Sequence, residues 1–234
     1  MNLFQLLSII GLGGTILAVG LHFVAMRPRR LAPSAKEPRD VLRLTRWERL
    51  VHWALLLTFL TLLVTSFYPA LGGQRMSGYL LMLHTSAGAA FAVALVAMMI
   101  TWAVAARLEK HDGDWIRRRG CVSEGPDGIP AGRFDAAEKI YFWAVGILGA
   151  TTLLSMMLSM VPVFGTYGQA VLYEVHRYAA LLVVMATIVH AYRTTLAKPG
   201  TLGALLGGRV SAKWAKYHHA IWWQQRSRSD ARRD

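Results

Sequence analysis

Cysteine is nearly absent from this chain: of 234 residues, only Cys121 carries a thiol. One thiol cannot hold an iron–sulfur cluster, which takes about four, and no Cys-x-x-Cys-His is present to attach haem covalently. Regular alternation of apolar and polar residues is missing too, which argues against a membrane β-barrel. No basic stretch precedes the first apolar run and no Ala-x-Ala site follows it. Arg27, Arg29 and Arg30 come after that run, the reverse of a secretory signal, so Leu3–Met26 is expected to stay as an anchor helix with its N-terminus outside. Any redox cofactor in such a chain has to be held by histidine.

What the chain has in quantity is apolar surface. Hydrophobic residues make up 54% of it and the mean hydropathy is +0.35, outside the range of an ordinary soluble domain. Five runs are each long enough to cross about 30 Å of hydrocarbon: Leu3–Met26, Leu50–Tyr68, Tyr79–Ala106, Ile140–Pro162 and Tyr173–Tyr192. Helices satisfy their own backbone in lipid. The expectation is an all-α polytopic membrane protein with five transmembrane helices, the last four forming one bundle. The chain then divides into an extra first helix (1–26), a basic linker (27–49), the four-helix bundle (50–195) and a basic tail (196–234).

Acidic residues number 13 against 26 Lys and Arg, leaving a net charge of +13. The distribution of that charge points to topology and away from nucleic acid. Eight basic residues fall in 27–49, seven in 107–139 and nine in 193–234, whereas the loop 163–172 has none and the loop 69–78 has only Arg75. By the positive-inside rule the N-terminus faces out, and the three basic stretches, with the C-terminus, face the cytoplasm and its anionic lipid. Trp and Tyr residues near the span ends fit an aromatic belt. Asp112–Arg119 reads as a short surface helix before a turn-rich stretch with Gly125, Gly128 and Pro130, and Ala212–Arg226 reads as an interfacial helix.

Four histidines fall inside the spans. His176 and His190 share one helix; fourteen residues is just under four turns, so both imidazoles point the same way within about 40°, roughly 21 Å apart along the axis. His52 opens the second span and His84 lies just inside the third. Depth pairs His84 with His176 near the outer face and His52 with His190 near the inner face, the axial ligand set of two haems b. Gly88, one turn beyond His84, leaves room for a porphyrin, as do Ala179 and Ala180 after His176. Arg46 and Arg49 near His52, and Arg177 beside His176, are placed to neutralise haem propionates. Taken singly, each histidine is equally a hydrogen-bonding group between helices; the matched depths are what favour haem. No two of the four stand at i, i+4 beside a carboxylate, which argues against a bare metal ion. His22 is expected to reach toward the inner interface, and His218-His219 to contact a membrane surface or another subunit.

Several pieces of this sequence are familiar together: Arg46-Trp-x-Arg49-x-x-His52-Trp, His84 with Gly88, Gly132-Arg-Phe-Asp-Ala-Ala-Glu-Lys139, the fourteen-residue His176/His190 pair, and the Trp-Ala-Lys-Tyr-His-His tail ending at Trp223. Over about residues 43 to 225 the chain resembles the cytochrome b (gamma) subunit of respiratory formate dehydrogenases. Its histidine set also resembles the b-type subunit of membrane nickel–iron hydrogenases.

The resemblance implies a subunit of the bacterial inner membrane. A molybdenum- or tungsten-containing catalytic subunit would oxidise formate, and an iron–sulfur subunit would pass electrons to the outer haem. The inner haem would deliver them to a quinone, menaquinone or ubiquinone, beside His190, Asp135 and Lys139. Asp135 stands where the family often has asparagine; a carboxylate there either relays a proton or caps the fourth helix, and the sequence leaves both open. The first span is additional to the simplest four-helix version, and either packs on lipid or replaces an anchor helix that a partner supplies elsewhere. A haem-free anchor or transporter is disfavoured, because paired Gly/Pro-broken spans are lacking.

Overall fold

Side chains flanking the apolar runs decide where the helices start. The computed structural model describes residues 2–26, 37–117 and 131–230. In chain order its elements are α1 (Leu3–Met26), β1 (Val41–Leu42), α2 (Arg46–Leu71), α3 (Gly78–Trp102), α4 (Lys110–Arg117), α5 (Ala136–Ser159), α6 (Gly165–Tyr192), α7 (Thr201–Gly207), β2 (Arg209–Val210), α8 (Ala212–His218) and α9 (Ala220–Asp230). A 3-10 turn at Pro162–Phe164 leads into α6, and a π turn at Arg193–Ala197 leaves it.

Thr45 and Glu48 cap α2 reciprocally: the Thr45 N–H donates to Glu48 Oε2 (2.9 Å) and the Glu48 N–H to Thr45 Oγ1 (3.2 Å). Asp135 and Glu138 do the same for α5, at 3.0 and 2.8 Å. Each box satisfies donors that a helix start otherwise leaves orphaned. α2 and α5 therefore begin at Arg46 and Ala136, ahead of the apolar runs expected from Leu50 and Ile140. The last span begins at Gly165, earlier than the expected Tyr173, and α3 gives way to turns after Trp102, short of the expected Ala106.

Among the described residues five helices are long and apolar enough to cross a membrane. Leu57, Val93, Ile100 and Ile147 are exposed on them, as lipid-facing positions are. The chain folds as two compact units.

The first unit comprises Met1–Ala18, Leu50–Thr101 and Ala144–Val189. There α5 lies close on α3 because it presents glycines: a Cβ on Gly149 would stand 3.1 Å from Leu95, and one on Gly146 3.0 Å from Met99 Sδ. At the head of α1 the Gln5 amide donates to the Ala70 carbonyl at the end of α2 (3.1 Å), and Phe4 packs edge-on against Tyr178 of α6 (5.5 Å). Elsewhere α1 is open: only 6% of its most apolar window is buried, which leaves most of its surface for lipid.

The second unit comprises Val19–Arg49, Trp102–Trp143 and His190–Asp234. The described parts of the basic linker and tail meet here. β1 pairs antiparallel with β2, Val41 opposite Val210 and Leu42 opposite Arg209. Val41, Ala204, Val210, Trp214 and Ala215 form a core. Gly208 makes the turn into β2 at φ 76, where a Cβ would stand 2.7 Å from the Leu44 carbonyl, so glycine is required.

Four expectations change in this unit. The tail helix breaks at His219 into α8 and α9 and does not lie as one interfacial helix, because Trp214 and Ala215 are sequestered in the core. His218 and His219 are buried and do not form a surface contact; His219 is 0% exposed. The short helix after the third span, α4, buries Asp112 and Trp115. His22 does not simply reach for the interface, since its Nδ1 lies 2.6 Å from the Tyr192 hydroxyl. Cys121 and the stretch with Gly125, Gly128 and Pro130 lie outside the described residues.

Candidate functional site

In the first unit α3 and α6 bring His84 and His176 together edge to face, with ring centres 6.4 Å apart and planes inclined by 73°. Each ring is held through Nδ1. The Thr65 hydroxyl already donates to the Thr61 carbonyl at 2.7 Å, so it accepts the His84 Nδ1–H at 2.9 Å. The Thr152 carbonyl of α5 accepts the His176 Nδ1–H at 2.8 Å. With both protons on Nδ1, each Nε2 keeps its lone pair. That is the tautomer an iron ligand needs, oriented by a second partner as metal-bound histidines are.

The spacing agrees: two metal–nitrogen bonds of about 2 Å each, plus the two ring radii, come to about 6 Å. Gly88, a turn beyond His84, borders open space, and a Cβ there would meet only Leu62 Cδ2 at 4.0 Å. A flat macrocycle fits beside such a backbone. The residues present therefore suit a haem, which His84 and His176 would hold. Arg177, next to His176, pairs with Glu174 (2.6 Å) and lies over Phe4 of α1 (4.0 Å). His52 is half-buried on α2 in this same unit.

His190 belongs to the second unit, at the end of α6. Tyr141 of α5 stacks on its ring, centres 4.0 Å apart and planes within 8°. One turn on, Arg193 reaches Asp135 Oδ2 at 3.1 Å, and Lys198, just past the π turn, binds the same oxygen. Asp135 is completely buried. Burial alone would raise its pKa, but Lys198 and Arg193 outweigh it and hold the carboxyl well below the usual carboxylate range. Of the two roles left open for Asp135, capping is plainly present, through Oδ1 to the Glu138 N–H at 2.8 Å.

Lys139, one turn into α5 and 2% exposed, pairs with Asp112 at 2.8 Å. His219 donates from Nδ1 to the Gly132 carbonyl (2.8 Å). Burial first, then the positive charges of Arg43 and Lys198, push its pKa well below the ordinary histidine value. Nearer the head of α2, Glu48 Oε1 accepts from Trp102 Nε1 (2.9 Å) and Arg133 (2.6 Å). Arg49 donates to the Leu205 carbonyl (2.9 Å) and to that of Leu206, closing the end of α7. Arg46 is exposed.

Sequence reasoning did not select Thr65, Thr152, Tyr141, Glu138, Arg193 or Lys198. The Asp135-x-x-Glu138 spacing signals its box directly. The Thr152 contact uses a backbone carbonyl, for which no side chain is a signal.

A family model described as prokaryotic cytochrome b561 matches residues 43–208. The nitrate-inducible formate dehydrogenase cytochrome b556(Fdn) subunit of Escherichia coli (strain K12) is 26% identical over 202 residues, covering 80% of this chain and 92% of that protein. The formate dehydrogenase cytochrome b556(fdo) subunit of the same organism is 23% identical over 204 residues, covering 81% and 95%. The formate dehydrogenase cytochrome b556 subunit of Haemophilus influenzae is 24% identical over 123 residues, about half of each chain.

Proposed function

The chain belongs to the prokaryotic cytochrome b561 family, and on that basis we propose that it is the di-haem membrane subunit of a formate dehydrogenase-type complex, carrying electrons to quinone. The observation that carries this reading is the His84/His176 pair, ring centres 6.4 Å apart, each imidazole tied through Nδ1 so that its Nε2 keeps a lone pair. The names of the relatives supply the partner class, the other subunits of a formate dehydrogenase; an iron–sulfur subunit and a molybdenum- or tungsten-containing catalytic subunit are the partners this reading adds. Haem, when bound, supplies one-electron carriage, and the chain's residues hold, orient and neutralise it.

His84 and His176 would hold the outer haem, and His52 and His190 the inner one; the second pairing rests on the depth of each histidine along its helix. The quinone would bind beside His190, where Asp135, Lys139 and Tyr141 lie in the same unit. There the cations Lys139, buried, and Arg193, partly buried, favour negative charge on a quinone oxygen. The basic stretches orient the chain with its N-terminus outside and its C-terminus in the cytoplasm.

The test is purification of the intact complex from native membranes. We expect b-type bands in the reduced-minus-oxidised spectrum, two haems per chain, and co-purifying iron–sulfur and molybdenum- or tungsten-containing subunits. Absence of b-type bands would end the haem reading, and a nickel–iron partner would move the chain to a hydrogenase. A second measurement probes the Nδ1 tether. Thr65→Val removes the hydroxyl that His84 donates to, and haem affinity is expected to fall about 10–100-fold, the usual effect of losing such a partner. Haem titration of the stripped protein measures it, and unchanged affinity would separate Thr65 from the site.

A further inference from the structure

Four side chains in the second unit form a line of decreasing exposure. Glu109 is 61% exposed, His111 18%, Asp112 4% and Lys139 2%. Each touches the next. His111 Nδ1 lies 3.1 Å from Glu109 Oε2, His111 Nε2 lies 3.7 Å from Asp112 Oδ1, and Asp112 Oδ2 accepts from Lys139 Nζ at 2.8 Å. The middle contact is incomplete. With Nδ1–H donating to Glu109, the neutral imidazole turns a lone pair toward a carboxylate lone pair. Both atoms are sealed from solvent and neither has a hydrogen-bond partner. Two buried acceptors facing one another are costly until a proton comes between them. A proton on Nε2 converts the contact into a charge-assisted hydrogen bond.

From this we infer that His111, Asp112 and Lys139 form a proton-uptake relay for quinone reduction; the inference rests on the proposed quinone-reducing role. Reducing a quinone to a quinol takes two electrons and two protons, which form an O–H bond at each oxygen. The electrons come from the reduced iron–sulfur partner by way of bound haem. Each proton enters at His111, whose side chain swings toward solvent, takes a proton on Nε2 and returns, so that an Nε2–H faces Asp112 while Nδ1–H stays in place. It passes from Nε2 to Asp112 Oδ1, the carboxyl group turns so that this O–H faces Lys139, and the proton moves to Nζ after Lys139 has given its own proton to a quinone oxygen. Two passes complete the quinol and restore every group.

Glu109, just ahead of α4, and Asp112 within it flank His111, and α4 also carries Lys110 and Asp114. From the 131–135 segment the backbone of Gly132 approaches, where a Cβ would stand 3.3 Å from Nε2. Lys139 comes from α5, and Arg193 lies 5.3 Å from the ring of Trp115 on the far part of α4. Asp135 and its two cations leave Lys139 to Asp112.

The test uses the whole purified complex in proteoliposomes, with formate as donor, a soluble quinone as acceptor, and a pH-indicator dye to follow proton uptake. His111→Ala is expected to slow quinone reduction and dye-detected uptake together by tenfold or more, on the scale of positioned acid–base groups, about 10²–10⁴. Haem bands and haem reduction by the partner stay unchanged, and added imidazole restores both rates. Asp112→Asn is expected to slow both without rescue by imidazole. A His111→Ala complex that works at the wild-type rate overturns the relay. So does one that is slow but not rescued, since a purely structural histidine gives that result. A wild-type complex that reduces no quinone overturns the functional reading and the relay with it, an outcome no variant mimics.

Discussion

Replacing His84 with alanine is expected to halve the haem content of the purified complex, from two haems b per chain to one. His176→Ala should do the same, and the double variant should lose no more than either single change. That non-additivity follows from the proposal, because both imidazoles, 6.4 Å apart, would hold one and the same haem. Two residues acting on a shared partner do not add their effects. The haem assigned to His52 and His190 should remain, so the spectrum keeps its b-type bands at about half amplitude while reduction by the partner subunits stops. Pyridine haemochrome assay against protein concentration gives the ratio directly. Two haems per chain in His84→Ala would remove His84 from the ligand set, and none would mean the two sites do not form independently.

Asp135→Ala should produce the largest loss of stability of any single change in the second unit. It strips the counter-ion from Arg193 and Lys198, the latter only 3% exposed, and it opens the cap of α5. Leaving a buried charge unpaired costs about 3–5 kcal/mol. Asp135→Asn keeps an acceptor for the Glu138 N–H but not the charge, so it should fall between alanine and wild type. The pH dependence has a definite sign. The folded pKa of Asp135 is depressed, so its contribution is complete above the unfolded carboxylate value of about 4 and is lost as pH falls through the lower folded value. Across the neutral range the gap between wild type and Asp135→Ala should stay constant, and it should close only in strong acid. Thermal unfolding of the detergent-solubilised complex at several pH values tests this. A gap that closes above about pH 5 would contradict the depressed value.

The two predictions also mark what could be read from the linear chain. His84 and His176 were legible because an imidazole inside an apolar run is a local anomaly, and because helical rise converts sequence position into depth. Their tethers were not. Thr65 looks like any hydroxyl bonding its own helix, which it also does, through the Thr61 carbonyl, and Thr152 acts through its backbone. The Asp135–Glu138 cap is four consecutive letters, yet the partners that determine the charge of Asp135 lie some sixty residues away, at Arg193 and Lys198.

Hydropathy, helical period and the alternation of basic loops were by themselves enough for five spanning helices, the all-α class and the four candidate ligands, and the resemblance of a few motifs pointed to the family. Those are properties of runs and spacings, and lipid enforces them segment by segment. Tertiary structure alone decided that the basic linker and tail pair as β1 and β2, that Trp214 and His219 lie inside, and that Asp112, Lys139, Asp135 and Lys198 are buried ion pairs. A charged residue reads the same in sequence whether water or an opposite charge satisfies it. Only packing between distant segments removes the water, and with it the freedom of those groups to remain unpaired.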